Sequence, residues 1–214
     1  MQCISLDGLD CCGKTWLIDE LKKLYNPEKV RLLHLPMDQT IQKFIVTKEI
    51  KNKKQFIHHV LFEASNMIKQ AYDDGIELLV LDRFLISTFL FQGNMHKPNE
   101  ATNHVISNIY QDLFNFHNID SLKDVYHYIF TNSFDIADRE VSTDGKKEFD
   151  AMSDKIYEQI ISMKQSLSKN NNMLKSLLFD NYEYFGYDSD KETIEEVQQK
   201  RLDIITTKIE ELME

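Results

Sequence analysis

The sequence predicts an α/β fold with a parallel β-sheet. Three observations carry that expectation. Short apolar runs alternate with segments of helical spacing along nearly the whole chain. One run, Ile76–Leu81 (IELLVL), is apolar almost throughout, as parallel strands buried on both faces are. The first run leads through a glycine-containing loop straight into a helical pattern. Alternation of this kind builds strand–helix–strand units whose crossovers cover both faces of one sheet.

The elements follow in order. Gln2–Leu6 is the first strand candidate, and Lys14–Tyr25 shows helical spacing through Leu17, Ile18, Leu21 and Leu24. Asn26–Pro27 stops that helix, because proline lacks an N–H and turns the residue before it away from helical backbone. Val30–Leu35 is the second strand, closed by Pro36. Phe56–Tyr72 places Phe56, Val60, Ala64, Met67 and Ala71 along one helical face, and Asp73–Gly75 ends it. After Ile76–Leu81, helical patterns cover Phe84–Gln92 and Ala101–His117. Val125–Thr131 and Leu177–Asp180 are further strand candidates, and Thr193–Met213 is a closing helix. No internal repeat or linker-like segment appears. A length of 214 residues suits one domain (residues 1–214) with a full core and a small mobile insert.

Charge and composition exclude some functions. The chain carries 25 Lys and Arg against 35 Asp and Glu, a net charge of -10. A general nucleic-acid or membrane-surface binder needs a basic face, so neither partner is expected. An anionic small molecule would have to be held by a local cluster of donors. The 3 cysteines, two of them adjacent, make no disulfide framework and point to a reducing compartment. No N-terminal apolar targeting segment and no run of transmembrane length is present, so a cytoplasmic protein is expected.

The stretch SLDGLDCCGKTW (Ser5–Trp16) holds two of the 6 glycines. Its Gly8-x4-Gly13-Lys14-Thr15 spacing fits a phosphate-binding loop, and it lies where such a loop must, between the first strand and the first helix. Backbone N–H groups of such a loop curl around phosphate oxygens, and the helix N-terminus adds its positive dipole end. Lys14, expected as a solvated charge, would neutralise the β- and γ-phosphates, and the Thr15 hydroxyl would ligate Mg²⁺. Cys11 and Cys12 are read either as small residues in a tight loop or as a thiol made reactive by the helix N-terminus. Cys11 occupies a position where many such loops carry glycine. Asp82, at the end of the apolar run LLVLDRF, is placed either to hold Mg²⁺ or to form a strand-end ion pair. His58–His59 do not make a metal site, since adjacent helical side chains face different ways. The acidic KETIEEVQQK (Lys191–Lys200) reads as a solvated helix face.

These residues carry a family resemblance. SLDGLDCCGKT is similar to the start of thymidylate kinases, and DRFLISTFLFQG (Asp82–Gly93) resembles that family's Asp-Arg-Tyr element with its following Ser and Tyr-Gln-Gly. LFEASN (Leu61–Asn66) resembles the helix over the acceptor base, and IFTNSFDIADRE (Ile129–Glu140) the fourth strand leading into the lid. The first two motifs are the specific ones. The resemblance implies a P-loop nucleoside-monophosphate-kinase fold: five parallel strands wrapped by helices, a lid at about residues 139–150, and ATP with Mg²⁺ as cofactors. It implies phosphoryl transfer from ATP to a deoxynucleoside 5′-monophosphate, dTMP to dTDP in the first place.

By position, the resemblance sets Gly8, Leu9, Asp10, Cys11, Cys12, Gly13, Lys14, Thr15 and Trp16 around ATP, with Thr15 and Asp82 on the metal. Catalytic roles fall to Lys14, Asp10, Arg83 and Arg139. Asp10, Phe62, Asn66, Arg83, Ser87, Phe91 and Gln92 would line the acceptor site. Phe62 and Phe91 read equally as core aromatics. The chain departs from the family pattern at His34–Thr40, which has no arginine, at Asn66, and at Glu148, with Lys146 and Lys147 nearby. Two other readings stand beside the first: a deoxynucleoside kinase, for which Asp38 would serve as base, and a nucleotide-binding module with weak catalysis. The family's habit of pairing through long helices implies a homodimer through Ala101–His117.

Overall fold

The computed structural model describes residues 1–8, 12–35, 52–92, 101–116, 125–130, 158–162, 165, 181–186 and 191–214. Five strands make one sheet: β1 (Gln2–Gly8), β2 (Val30–His34), β3 (Leu78–Asp82), β4 (Val125–Phe130) and β5 (Tyr182–Phe185). The named helices are α1 (Lys14–Leu24), α2 (Lys53–Asp73), α3 (Leu85–Gln92), α4 (Ala101–Phe116) and α5 (Ile194–Met213). All strand pairs are parallel, in the order β2-β3-β1-β4-β5. The predicted parallel α/β architecture is therefore the observed one.

Burial explains the order. Successive strand residues face opposite sides of the sheet, yet Cys3–Gly8 of β1 and all of β3 are buried. Both faces are covered at the centre, which is why IELLVL reads as a continuous apolar run. The edges differ: β2 is half-buried from Arg31 to Leu33 and exposes His34, and β5 exposes Tyr182 and Glu183. Helix α1 packs with α5, while α2, α3 and α4 pack on one another and α3 lies against β1. Fully buried Ile4, Leu6, Leu17, Leu21, Leu78, Leu79 and Leu81 join these layers, each side chain contributing about 1.5–3 kcal/mol.

The boundaries shift where hydrogen bonds decide. Ile76 and Glu77 precede β3, because Ile76 N donates to Ala71 O (3.1 Å) and Glu77 N to Lys29 O (3.0 Å). In α2 the buried line runs through Ile57, Leu61, Ala64, Ile68 and Ala71, so Val60 and Met67 sit at its flank. The candidate strand Leu177–Asp180 lies outside the described residues, and the fifth strand begins at Tyr182, paired with His127. Helix α5 opens with a capping box: Glu196 N donates to Thr193 Oγ1 at 3.2 Å, and Thr193 N to Glu196 Oε2 at 2.8 Å.

Candidate active site

Gly8 ends β1 beside Phe130, the last residue of β4. A Cβ at Gly8 would stand 2.3 Å from the Phe130 carbonyl oxygen, and φ there is +106°. Only glycine fits. Gly13 is the N-cap of α1 with φ +83°, and its carbonyl accepts from Leu17 N at 3.0 Å. The two glycines of the motif thus hold the turn out of β1 and the entry to α1, answering to the positive φ that each requires.

Lys14 does not sit as the solvated charge expected of it. It is 5% exposed, with Nζ 5.7 Å from the centroid of the Phe130 ring. The aromatic face offers the ammonium an electrostatic partner where water is excluded. Thr15 is exposed and Trp16 half-buried against the core. Cys12 is a buried thiol whose carbonyl oxygen accepts from Arg201 Nη1 at 2.7 Å. Its burial fits the small loop residue rather than an accessible thiol. Leu9, Asp10 and Cys11 lie outside the described residues, as do Arg139 and the segment 139–150.

The neighbouring strand end supplies the acid. Leu6 of β1 pairs with Asp82 of β3, so Asp82 and the loop stand at the same, carboxyl end of the strands. Asp82 is buried; Oδ2 contacts His34 Nδ1 at 2.8 Å, while Oδ1 has no hydrogen-bond partner among the described residues. That hydrogen bond raises the His34 imidazole above its ordinary value, with burial opposing. Ion pair and metal ligand are therefore compatible, one oxygen for each. A single buried carboxylate with a bare oxygen fits Mg²⁺, which takes one or two protein ligands and fills its shell with phosphate and water. No group of three or more His, Cys, Asp or Glu side chains is placed to hold a metal by itself among the described residues.

Arg83 has φ +67°, the only positive φ outside glycine among the described residues. Its N donates to Leu6 O at 2.9 Å, and its guanidinium lies 5.3 Å from the Phe91 ring centroid. Burial lowers its proton affinity, and the Asp7 carboxylate opposes that. Ser87, one turn into α3, is buried with no partner for Oγ among the described residues. Phe91 and Gln92 are half-buried. Phe62 is 44% exposed and stacks with His58 at 6.4 Å between centroids, so it is no core aromatic. Asn66 follows one helical turn later and is exposed. His58 and His59 are both exposed.

Four participants escaped the sequence reading. Asp7 and His127 are buried polar groups in strands, and Ser5 bridges them. Arg201 follows directly on the acidic face of α5, whose residues are mostly exposed, yet it is itself buried. An acid or a histidine inside an apolar strand is the one signal that could have found the first two.

The parallel order β2-β3-β1-β4-β5, with a glycine-bounded loop between β1 and α1, fits the P-loop nucleoside-monophosphate-kinase α/β fold. Within that class the chain is similar to thymidylate kinases. A probable thymidylate kinase of Metallosphaera sedula is 29% identical over 96 residues, 44% of this chain and 48% of that protein, so the match spans about half its length. The thymidylate kinase structure from Candida albicans, described as revealing the origin of broad substrate specificity and a novel structural element, matches with a TM-score of 0.55 at 19% identity. It covers 100% of this chain and 93% of its own. That of Ehrlichia chaffeensis matches with a TM-score of 0.55 at 14% identity, covering 95% and 98%. No family model matches the chain. The resemblance to the thymidylate kinase family drawn from the motifs is thus matched in sequence and in fold. No helix among the described residues is long and apolar enough to cross a membrane.

Proposed function

We propose that the protein is a nucleoside monophosphate kinase that transfers the γ-phosphoryl group of ATP to a deoxynucleoside 5′-monophosphate, with dTMP the first acceptor. One observation carries the reading: the register of β1 on β3 sets a buried, half-satisfied Asp82 and the left-handed Arg83 at the carboxyl ends of the strands, where the phosphate loop begins. Ligands of open parallel sheets bind outside those carboxyl ends.

In this reading the loop N–H groups and Lys14 take the ATP phosphates, and Lys14 leaves the Phe130 ring to do so. Thr15 and Asp82 would hold Mg²⁺, which neutralises charge building on the phosphates. Arg83 orients the acceptor phosphate, so that one of its oxygens attacks the γ-phosphorus in line as the bond to the β-phosphate oxygen breaks. The products are ADP and a deoxynucleoside diphosphate. Phe62 supplies a stacking face, and Asn66, Gln92 and the buried Ser87 hydroxyl supply polar contacts to the base and sugar. Asp10 and Arg139 keep the roles given by resemblance, with residues 139–150 as a lid that closes over the phosphates. The reading takes the chain as one kinase domain working on nucleotides, paired as a homodimer through α4.

A coupled assay of ADP release tests it. Activity with dTMP and ATP-Mg²⁺, and none with thymidine, is expected; phosphorylation of thymidine alone would move the protein to the deoxynucleoside kinases. Equal hydrogen exchange of residues 139–150 with and without a bisubstrate analogue would remove the lid.

A further inference from the structure

The fully buried Asp7 carboxylate collects three donors. Oδ1 accepts from Phe84 N and from Ser87 N, each at 2.8 Å. Oδ2 accepts from Ser5 Oγ at 2.8 Å. Ser5 Oγ in turn lies 2.6 Å from Nδ1 of His127 on β4, itself 4.0 Å from Asp7 Oδ2.

Proton accounting gives this chain a direction. An ionised carboxylate only accepts, so the single hydroxyl hydrogen of Ser5 goes to Asp7. Ser5 Oγ then accepts from His127, whose Nδ1 carries the proton. Burial pulls His127 down to about 4, against the Asp7 carboxylate, in keeping with a neutral ring. Nε2 is buried with no partner among the described residues.

The far end of the chain meets Arg83. Phe84 and Ser87 stand at the start of α3, where helical N–H groups have no partner within the helix, so Asp7 caps α3 from another element. The two peptide groups flanking Arg83 Cα are both pinned. Arg83 N is held by Leu6 O on one side, and Phe84 N by Asp7 Oδ1 on the other. Those two bonds set the φ and ψ of a residue that would otherwise avoid the left-handed region.

We propose that Asp7, seated on Ser5 and His127, is a positioning residue that holds Arg83 in its left-handed turn and thereby aims the guanidinium at an anionic acceptor. The inference rests on the acceptor role proposed above for Arg83.

Two variants test it. Asp7→Asn keeps the shape but loses the charge and one acceptor; Ser5→Ala keeps the cap and removes its seat. Calorimetry reads the binding of dTMP and, separately, of a non-hydrolysable ATP analogue. NMR follows exchange at the Phe84 and Ser87 amides. The expected rise in Kd for dTMP is about tenfold in Asp7→Asn and about threefold in Ser5→Ala, with the ATP analogue changing less than about twofold. Both amides should exchange faster. Wild-type affinity for dTMP in a folded Asp7→Asn protein overturns the proposal. If that variant does not fold, wild-type affinity and protection in Ser5→Ala overturn it. If the wild-type protein binds no deoxynucleoside monophosphate, the functional reading falls, and unchanged exchange of the two amides then overturns the cap separately.

Discussion

Arg201 Nη1 donates to the carbonyl oxygen of Cys12 at 2.7 Å, tying the closing helix to the phosphate loop across 189 positions of chain. Nη2 of the same guanidinium donates to Phe185 O at 3.2 Å and Gly186 O at 3.0 Å. The plane lies 5.0 Å from the Phe130 centroid and 5.9 Å from that of Phe185. One buried cation thus joins the loop, β4, β5 and α5. Lysine cannot reproduce this planar fork. Arg201→Lys is expected to lose about 2–3 kcal/mol in urea denaturation and to raise KM for ATP, with dTMP affinity unchanged. Wild-type values of both quantities would mean that α5 does not support the loop.

Gly8→Ala places a methyl group 2.3 Å from the Phe130 carbonyl oxygen at a φ of +106°. Backbone strain and overpacking add here, and the expected destabilisation is about 2–5 kcal/mol. Thermal unfolding followed by circular dichroism measures it; a midpoint within a degree or two of wild type contradicts the close approach.

Lys14→Ala removes a buried ammonium whose aromatic partner is Phe130. The variant should keep the native circular dichroism spectrum and lose at least about a hundredfold in turnover at saturating ATP-Mg²⁺. Wild-type turnover would remove the loop assignment.

Arg83→Lys keeps the charge and loses the planar fork that a bidentate grip on phosphate needs. KM for the monophosphate is expected to rise about tenfold, while KM for ATP stays within twofold. An unchanged KM, or a better rate with the bare nucleoside, would shift the function towards the deoxynucleoside kinases.

His127 supplies a pH dependence. Its folded value, about 4, lies below the ordinary imidazole value near 6.5, with burial as the first cause. Between these limits the unfolded chain binds a proton that the folded one refuses, so stability falls as pH drops from about 6.5 to about 4. His127→Asn retains an N–H for Ser5 and removes the titration. Urea midpoints at pH 4.5 and 7 should differ less in the variant than in wild type; an equal difference would assign the acid sensitivity to other groups.

Periodicity made most of the fold legible. IELLVL reads as a doubly covered strand because the central β3 has no solvent face, and α1 ends at Leu24, just ahead of Asn26–Pro27, because proline cannot continue a helix. Edge strands give weaker signals: β5, with the sequence YEYF, exposes the consecutive Tyr182 and Glu183, fully buries only Phe185, and carries little apolar pattern. The phosphate loop was legible because its glycine spacing, its two positive φ values and the following Lys14 and Thr15 are local, whereas the close approach of Gly8 to Phe130 is a tertiary contact. Asp7, Ser5, His127 and Arg201 were not, because beyond the Ser5–Asp7 bond their partners lie far along the chain.

The sequence by itself determined the strand–helix alternation, the loop between β1 and α1, and the acid and arginine that end β3. Each depends on neighbours within a few residues, where spacing and residue type decide the outcome. Only the tertiary structure decided that Lys14 is buried on Phe130, that Asp7 caps α3 and thereby pins Arg83, and that Arg201 reaches back to Cys12. Those contacts depend on the register of β1 between β3 and β4 and on the return of α5 to the loop. Strand order and packing set both, and a hydrogen bond spanning 189 positions has no period that a linear reading can detect.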